Sequence, residues 1–154
     1  MIFQPLKLEG SYLIELDKKK DSRGFFARTF CVNEFKQMGL VSNFIQMSTS
    51  FNYQSGQMRG MHYQDDPFQE TKIVRCISGE LIDIILDLRV NSKTYMQWHV
   101  EVLSACNRKM LYIPKGFAHG YKTLSDNCEI FYMMDQEYSV NHSKELPFPE
   151  DLPI

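Results

Sequence analysis

Short stretches of β-forming residues, separated by turn residues, dominate the second half of this sequence and restrict the folds open to it. Strands are predicted at residues 72–76, 81–88, 97–103, 109–113, 118–124 and 128–134. Turn residues punctuate them, as in "SGE" at 78–80 and "PKG" at 114–116. Several short strands with turn signals between them are typical of an antiparallel sandwich or barrel. We therefore predict an all-β fold built from antiparallel strands.

One short helix is predicted at residues 32–38, where Asn33 is placed to cap the first turn and Gly39 to end the last. The length of 154 residues and the hydrophobic content of 44% fit one domain with a real core. No repeat, linker or low-complexity segment divides the chain. We expect a single domain over residues 1–154, with one or two short helices.

Charge and composition argue against several classes of partner. The net charge of −2 disfavours non-specific binding to nucleic acid or to an anionic membrane. No signal peptide opens the sequence, and no apolar run approaches the roughly 20 residues of a membrane helix. The four cysteines include no CxxC pair, which favours reduced thiols. We expect a cytoplasmic protein that contacts neither nucleic acid nor membrane.

Alternation along the predicted strands places polar side chains among apolar ones. Asp83 and Asp87 share one face of residues 81–88, while isoleucine and leucine at the even positions share the other. Lys72 and Tyr132 each share a face with aliphatic neighbours on their own strands. Because an isolated buried charge is costly, these faces either line a polar cavity or contact solvent. Alternation alone does not decide between a polar cavity and a solvent-exposed face.

The stretch "RGMHYQ" at residues 59–64 places a histidine, His62, in this β-rich chain. His62 and His119 are candidate ligands for a divalent metal. Metal-binding β-barrels usually add a second histidine two residues from the first, but Gly60 and Gln64 occupy those positions here. Metal binding is therefore the less favoured alternative, and no cofactor is expected.

A second hypothesis for His62 is acid–base chemistry. A histidine with a pKa near 6.5 suits proton abstraction at neutral pH. Removing a proton beside a ketone needs a base, a cation or donor at the enolate oxygen, and an acid that returns the proton. His62, Lys72 and Tyr132 supply these three groups. An acid and a base on opposite faces of the substrate would invert the carbon, although a lone strand histidine is more often structural.

Several motifs in order along residues 10–145 resemble the dTDP-4-dehydrorhamnose 3,5-epimerase family. They are "DSRGFF" at 21–26, "FIQ" at 44–46, "RGMHYQ" at 59–64, "KIVRCISGELIDIILDLR" at 72–89, "LSACN" at 103–107 and "IPKGFAHG" at 113–120. The resemblance implies a metal-independent, cupin-like jelly-roll sandwich acting on a nucleotide-linked 4-keto-6-deoxy sugar. It further implies a homodimer that exchanges N-terminal strands, working in deoxysugar and polysaccharide biosynthesis.

The resemblance also implies roles for individual residues. His62 would be the base, Lys72 the cation near the keto oxygen and Tyr132 the acid. Asp83, paired with His119, completes the catalytic set. The implied substrate-binding residues, which include two arginines for the diphosphate and nucleotide, are Arg23, Phe26, Arg28, Gln46, Arg59, His119 and Tyr138.

Two positions in the nucleotide-binding part depart from the family pattern. Arg28 stands where the family has glutamate, and Ser48 stands where it has asparagine. A guanidinium cannot accept a hydrogen bond from a base N–H, and it adds a permanent positive charge. We expect either an altered nucleotide preference or an Arg28 side chain that points out of the pocket.

A third departure concerns the carboxylate that supports the base. Family members carry an "LSxKD" motif whose aspartate orients the histidine, and this sequence has no such motif. Asp151 and Asp83 are the candidates to replace it. Without such a carboxylate, a weakened or single-position epimerase, or a non-catalytic homologue that binds the sugar nucleotide, remains an alternative.

Overall fold

Strands form most of the regular structure in the computed structural model, which describes residues 1–152. The elements in this part of the chain are β1 Ile2–Pro5, β2 Tyr12–Glu15, β3 Lys19–Asp21, β4 Gly24–Phe26, α1 Val32–Gln37, β5 Gln46–Asn52, β6 Met58–Gln64, β7 Lys72–Ser78, β8 Glu80–Asp87, β9 Trp98–Ser104, β10 Met110–Ile113, β11 Phe117–Thr123, β12 Cys128–Met134 and β13 Ser143–Glu145. All six predicted strands are present, each within two residues of its predicted bounds.

Two antiparallel sheets and one hairpin contain these strands. The first sheet has six strands in the order β1-β2-β10-β7-β12-β5, and the second has five in the order β13-β6-β11-β8-β9. Strands β3 and β4 form a separate two-stranded hairpin. Leu13, Val74 and Ile130 from the first sheet pack in one buried cluster with Leu81 and Ile85 from the second. The predicted antiparallel, cupin-like sandwich is therefore confirmed.

Strand β8 shows how the pleat divides polar from apolar positions. Ile84 and Leu86 point away from the other sheet, into a cluster completed by Leu146 and Phe148 near the C-terminus. The odd positions point between the sheets, and Asp83 there has no exposed surface. The polar face of this strand is thus interior, which resolves the choice that alternation left open.

Helix α1 covers the outer face of the six-stranded sheet. Its fully buried Phe35 packs edge-on against Phe3. The predicted cap at Asn33 is wrong: Cys31 is the N-cap residue, and it makes no side-chain capping hydrogen bond. Gly39 follows the helix at φ +69°, a left-handed conformation that glycine adopts readily, as predicted for the end. Among residues 1–152, no helix is long and apolar enough to cross a membrane.

Candidate active site

A polar cavity opens between the two sheets and has two adjoining parts. The larger part measures about 310 Å³ and the smaller about 180 Å³. His62, Lys72 and Tyr132 line both parts, so these three side chains meet where the parts join. His62 comes from β6 of the five-stranded sheet, whereas Lys72 and Tyr132 come from β7 and β12 of the six-stranded sheet. The three residues predicted to move protons and stabilise an enolate are therefore together.

A bulge in β6 brings Arg59 and His62 to the same cavity. His62 pairs with His119 and Arg59 pairs with Tyr121, so two residues of β6, Gly60 and Met61, lie opposite the single Gly120 of β11. The extra residue cancels the alternation that would otherwise send Arg59 and His62 to opposite faces. Gly60 lies in the bulge at φ +100°, where a Cβ atom would come within 2.5 Å of the His119 carbonyl oxygen. Only glycine fits there without a backbone shift.

His62 is half-exposed at the cavity, with 50% of its side chain accessible. Partial burial lowers the pKa of its imidazole, and electrostatic interactions with Lys72, His119 and Arg59 lower it further. The carboxylate of Glu145 acts in the opposite direction. Since the resulting pKa lies below the usual 6.5, the ring is neutral at pH 7 and able to accept a proton.

Lys72 is held by a carboxylate that the sequence did not indicate. Its Nζ lies 2.8 Å from Glu70 Oε1, and only 13% and 11% of the two side chains are exposed. The other oxygen, Glu70 Oε2, accepts a hydrogen bond of 3.2 Å from Gln64 Nε2. Glu70 also lines the larger part of the cavity. The ammonium therefore has a fixed position beside His62 and Tyr132.

Tyr132 enters the cavity from β12, on the sheet opposite His62. Burial raises the pKa of its phenol, and the neighbouring Tyr121 raises it further, against a smaller lowering by Arg59. At neutral pH the hydroxyl is accordingly protonated and can donate a proton.

A buried network holds Arg59 in place. Its Nε donates to Asn52 Oδ1 at 2.9 Å, and Asn52 Nδ2 donates to the Tyr121 hydroxyl at 3.2 Å. The Ser50 hydroxyl lies 2.9 Å from the same tyrosine oxygen. Sequence reasoning did not assign Ser50, Asn52 or Tyr121 to the site, although the first two alternate on one strand. They orient a guanidinium toward the smaller part of the cavity.

Asp83 and His119 form the pair that the resemblance implied. Asp83 Oδ2 lies 2.9 Å from His119 Nε2, and the side chains are 0% and 12% exposed. Asp83 Oδ1 has no hydrogen-bond partner within the described residues. His119 lines the smaller part of the cavity beside His62, its cross-strand neighbour. The carboxylate thus supports His119 rather than His62.

The larger part of the cavity contains the predicted nucleotide residues Gln46 and Tyr138, together with Ser48. Gln46 Oε1 accepts a hydrogen bond of 3.1 Å from the Tyr138 backbone N–H. The Tyr138 side chain is exposed, with 61% of the residue accessible. These residues form a rim outside the junction where His62, Lys72 and Tyr132 meet.

Three predicted substrate-binding residues, Arg23, Phe26 and Arg28, do not line the cavity of their own chain. They lie on or just after the β3–β4 hairpin, where Arg23 pairs with Asp21 at 2.6 Å and is 88% exposed. Phe26 is 71% exposed. Arg28 pairs with Glu34 at 3.0 Å. The hairpin forms its own small sheet away from the sandwich interior, so the assignment of these three residues to substrate binding stays a prediction.

Within residues 1–152 the carboxylate nearest His62 is that of Glu145, whose Oε2 lies 4.0 Å from His62 Nε2. Asp151, the candidate named from sequence, accepts a hydrogen bond from Trp98 Nε1 at 3.2 Å instead. Across residues 1–152 there is no group of three or more histidine, cysteine or acidic side chains arranged to hold a metal ion.

Comparison with known proteins gives a consistent result. Residues 5–151 match the profile of the family described as dTDP-4-dehydrorhamnose 3,5-epimerase. The Sinorhizobium fredii protein of that name is 37% identical over 150 residues, which cover 97% of this chain and 77% of the relative.

Two solved structures extend the likeness to the fold. The Bacillus anthracis epimerase, with TDP and PPi bound, is 32% identical with a TM-score of 0.93, covering 99% of this chain and 88% of that one. The Legionella pneumophila epimerase, in complex with dTDP-4-keto-L-rhamnose, is 30% identical with a TM-score of 0.88, covering 96% and 78%. The chain belongs to the dTDP-4-dehydrorhamnose 3,5-epimerase family.

Proposed function

We propose that this protein is an isomerase that inverts C3, C5 or both carbons of a nucleotide-linked 4-keto-6-deoxy sugar. Family membership and the ligands of the related Bacillus and Legionella structures support this substrate class. The observation that carries the proposal is the meeting of His62, Lys72 and Tyr132 at the junction of the two cavity parts.

The proposed reaction begins with proton removal beside the keto group. His62 Nε2 or Nδ1 takes the proton, and the electron pair of the C–H bond moves into an enolate. The ammonium of Lys72 lies beside the enolate oxygen and stabilises its charge. Tyr132 then donates its phenolic proton to the same carbon from the other side. Because His62 and Tyr132 belong to opposite sheets, the new C–H bond forms on the opposite face of the sugar ring.

The electrostatic environment suits these roles. His62 has a pKa lowered mainly by burial, so the free base is present at pH 7. Tyr132 has a pKa raised mainly by burial, so the acid is present at the same pH. Neither group has to change protonation state before substrate binds. After the reaction His62 carries the abstracted proton, and Tyr132 has lost its phenolic proton. Exchange of protons with solvent restores both.

The remaining cavity residues are assigned to binding. Arg59, oriented by Asn52, is the cation for the diphosphate. Gln46, Ser48 and Tyr138 form the nucleotide end of the site. The proposed substrate class includes sugars linked to dTDP and sugars linked to other nucleotides.

Assembly as a homodimer with exchanged N-terminal strands would explain the exposed hairpin. Arg23 and Phe26 are accessible and lie outside the cavity of their own chain. In an exchanged dimer they would reach the cavity of the partner. Co-expression of differently tagged His62→Asn and Arg23→Ala chains tests this exchange. We expect each variant alone to be impaired. The purified heterodimer should regain about half the wild-type activity, because one of its two sites combines an intact His62 with an intact Arg23 from the other chain. Absence of any recovery would refute the exchange.

Cellular context follows from the substrate class. Sugar nucleotides are made and consumed in the cytoplasm during deoxysugar and polysaccharide synthesis, and the four cysteines are free in the structure, as suits a reducing compartment. We therefore propose that the protein acts in the cytoplasm.

A solvent-exchange experiment tests the reaction. The protein is incubated in heavy water with dTDP-, GDP- and CDP-linked 4-keto-6-deoxy sugars, and loss of the ring C3 and C5 proton signals is followed by NMR. We expect deuterium incorporation with at least one carrier, and a loss of 10²-fold or more in His62→Asn. His99→Asn is the matched control, because His99 lies on β9 outside the cavity.

Two outcomes would contradict the proposal. A His62→Asn variant that exchanges as fast as wild type would remove His62 as the base. Binding of a sugar nucleotide without any exchange would favour the non-catalytic homologue.

A further inference from the structure

We propose that Glu145 is the carboxylate that supports His62, acting on the imidazole through its charge. The catalytic part of this inference rests on the proposed function, whereas the effect of Glu145 on His62 itself does not. Glu145 would be a positioning residue that stabilises the imidazolium formed when His62 takes a proton.

Strand pairing fixes Glu145 beside His62. Strand β13 is the edge of the five-stranded sheet, and it pairs with β6 so that Glu145 lies directly opposite His62. Directly opposed residues of an antiparallel pair project on the same face. One residue further along, Leu146 exchanges two backbone hydrogen bonds with Met61, at 2.9 and 3.1 Å, which secures this register.

The charges around His62 give Glu145 its importance. Lys72 from β7, His119 from β11 and Arg59 from β6 all disfavour a positive charge on the ring, and Glu145 from β13 is the group that favours it. Tyr132 faces the ring from β12 as a neutral phenol at pH 7. Without Glu145, an imidazolium formed during catalysis would lie near Lys72 and Arg59 with no carboxylate of its own.

The other candidate carboxylates, which include Asp151 outside the cavity, are already engaged. Within the part of the chain that the structure describes, each lies against a different partner: Glu70 on Lys72 at 2.8 Å, Asp83 on His119 at 2.9 Å, Asp65 near Lys144 at 3.7 Å and Asp151 on Trp98 at 3.2 Å. Glu145 is the acid that this arrangement leaves for His62.

The size of the effect follows from distance and exposure. Glu145 Oε2 lies 4.0 Å from His62 Nε2, beyond hydrogen-bond length, so it acts by charge and not by fixing the tautomer. The side chains are 50% and 68% exposed, and solvent weakens such pairs. Pairs of this kind shift a titration midpoint by about 0.2 to 0.7 pH unit.

An NMR titration of the histidine ring protons tests the inference without substrate. The chain has four histidines, and the resonance missing from His62→Asn identifies His62. We expect Glu145→Gln to lower the His62 midpoint by about 0.2 to 0.7 unit, and Glu145→Lys to lower it further. Glu150→Gln removes an equal charge from an exposed position away from the cavity, and it should leave the midpoint within about 0.1 unit of wild type.

The same variants separate this inference from the proposed function. If the protein is an epimerase, the acidic limb of its exchange rate moves down with the His62 midpoint in Glu145→Gln, and the plateau rate falls roughly twofold because the base is weaker. A protein with no exchange activity would refute the proposed function, yet the titration would still decide on Glu145. Equal midpoints in Glu145→Gln, Glu145→Lys and Glu150→Gln would overturn the inference.

Discussion

Removal of the Glu70 carboxylate is predicted to weaken both the fold and the reaction. Glu70 and Lys72 form an ion pair of 2.8 Å with 11% and 13% of their side chains exposed. Breaking a fully buried pair by removing one partner costs about 3–5 kcal/mol, because the remaining charge is left without compensation. Because 13% of the Lys72 side chain is exposed, the pair is not fully buried, and we expect Glu70→Ala to lower the free energy of unfolding by about 2 kcal/mol.

The catalytic effect of the same change follows from the position of the ammonium. Without Glu70, the flexible lysine side chain is no longer held beside His62 and Tyr132. A displacement of about 1 Å in a catalytic group can reduce a rate by about 10²-fold. We therefore expect the exchange rate in Glu70→Ala to fall by about 10- to 100-fold, mainly in kcat.

A double-mutant cycle in urea unfolding separates the ion pair from simple loss of packing. Glu70→Ala, Lys72→Met and the double variant are compared, and we expect a coupling energy of about 1–2 kcal/mol. Asp17 and Lys19 provide the control cycle, since they lie at the same 2.8 Å but are 53% and 72% exposed. That pair should couple by less than about 0.5 kcal/mol. A coupling at 70 and 72 no larger than the control would refute the reasoning.

Two further predictions concern stability. Phe35→Ala should lower the free energy of unfolding by about 3–5 kcal/mol in chemical denaturation, because Phe35 is fully buried between α1 and the six-stranded sheet. Burial alone would raise the pKa of Asp87, but hydrogen bonds from Arg89 and the hydroxyls of Ser92 and Thr94 outweigh it and leave the pKa below its usual value. The stabilisation from Asp87 is therefore complete above about pH 4 and is lost as pH falls through the lowered pKa. Asp87→Asn should be less stable by about 2 kcal/mol at pH 7, a difference that narrows in acid.

Strand alternation grouped several polar side chains of the site, but it did not decide whether their faces meet solvent or a cavity. Lys72, Asp83 and Tyr132 were placed on one set of faces because a pleated strand sends alternate side chains to opposite sides. All three project between the sheets: Lys72 and Tyr132 line the cavity, and Asp83 is buried behind His119. A local rule with period two holds wherever the strand is regular, as β7, β8 and β12 are over these residues.

The parts that could not be predicted depend on distant contacts or on irregular backbone. Arg59 and His62 are three residues apart, so alternation alone would separate them, and the bulge that joins them is set by pairing with β11. Glu70 precedes β7 and reaches Lys72 through the loop between β6 and β7. The role of Arg23 depends on whether its hairpin contacts the cavity of its own chain or that of a partner. No local sequence pattern determines that contact.

The two neighbouring histidines are chemically the same and structurally different. Nε2 of His119 is 2.9 Å from a fully buried carboxylate, and only 12% of that side chain is exposed. His62, its cross-strand neighbour, is 50% exposed, and its nearest carboxylate within residues 1–152 is 4.0 Å away. His119 is therefore held by Asp83, and moving it would leave a buried carboxylate without its partner. His62 has a lowered pKa and an accessible ring, so it can take a proton and release it to solvent. The surroundings of the two rings, rather than their identity, assign the base to His62.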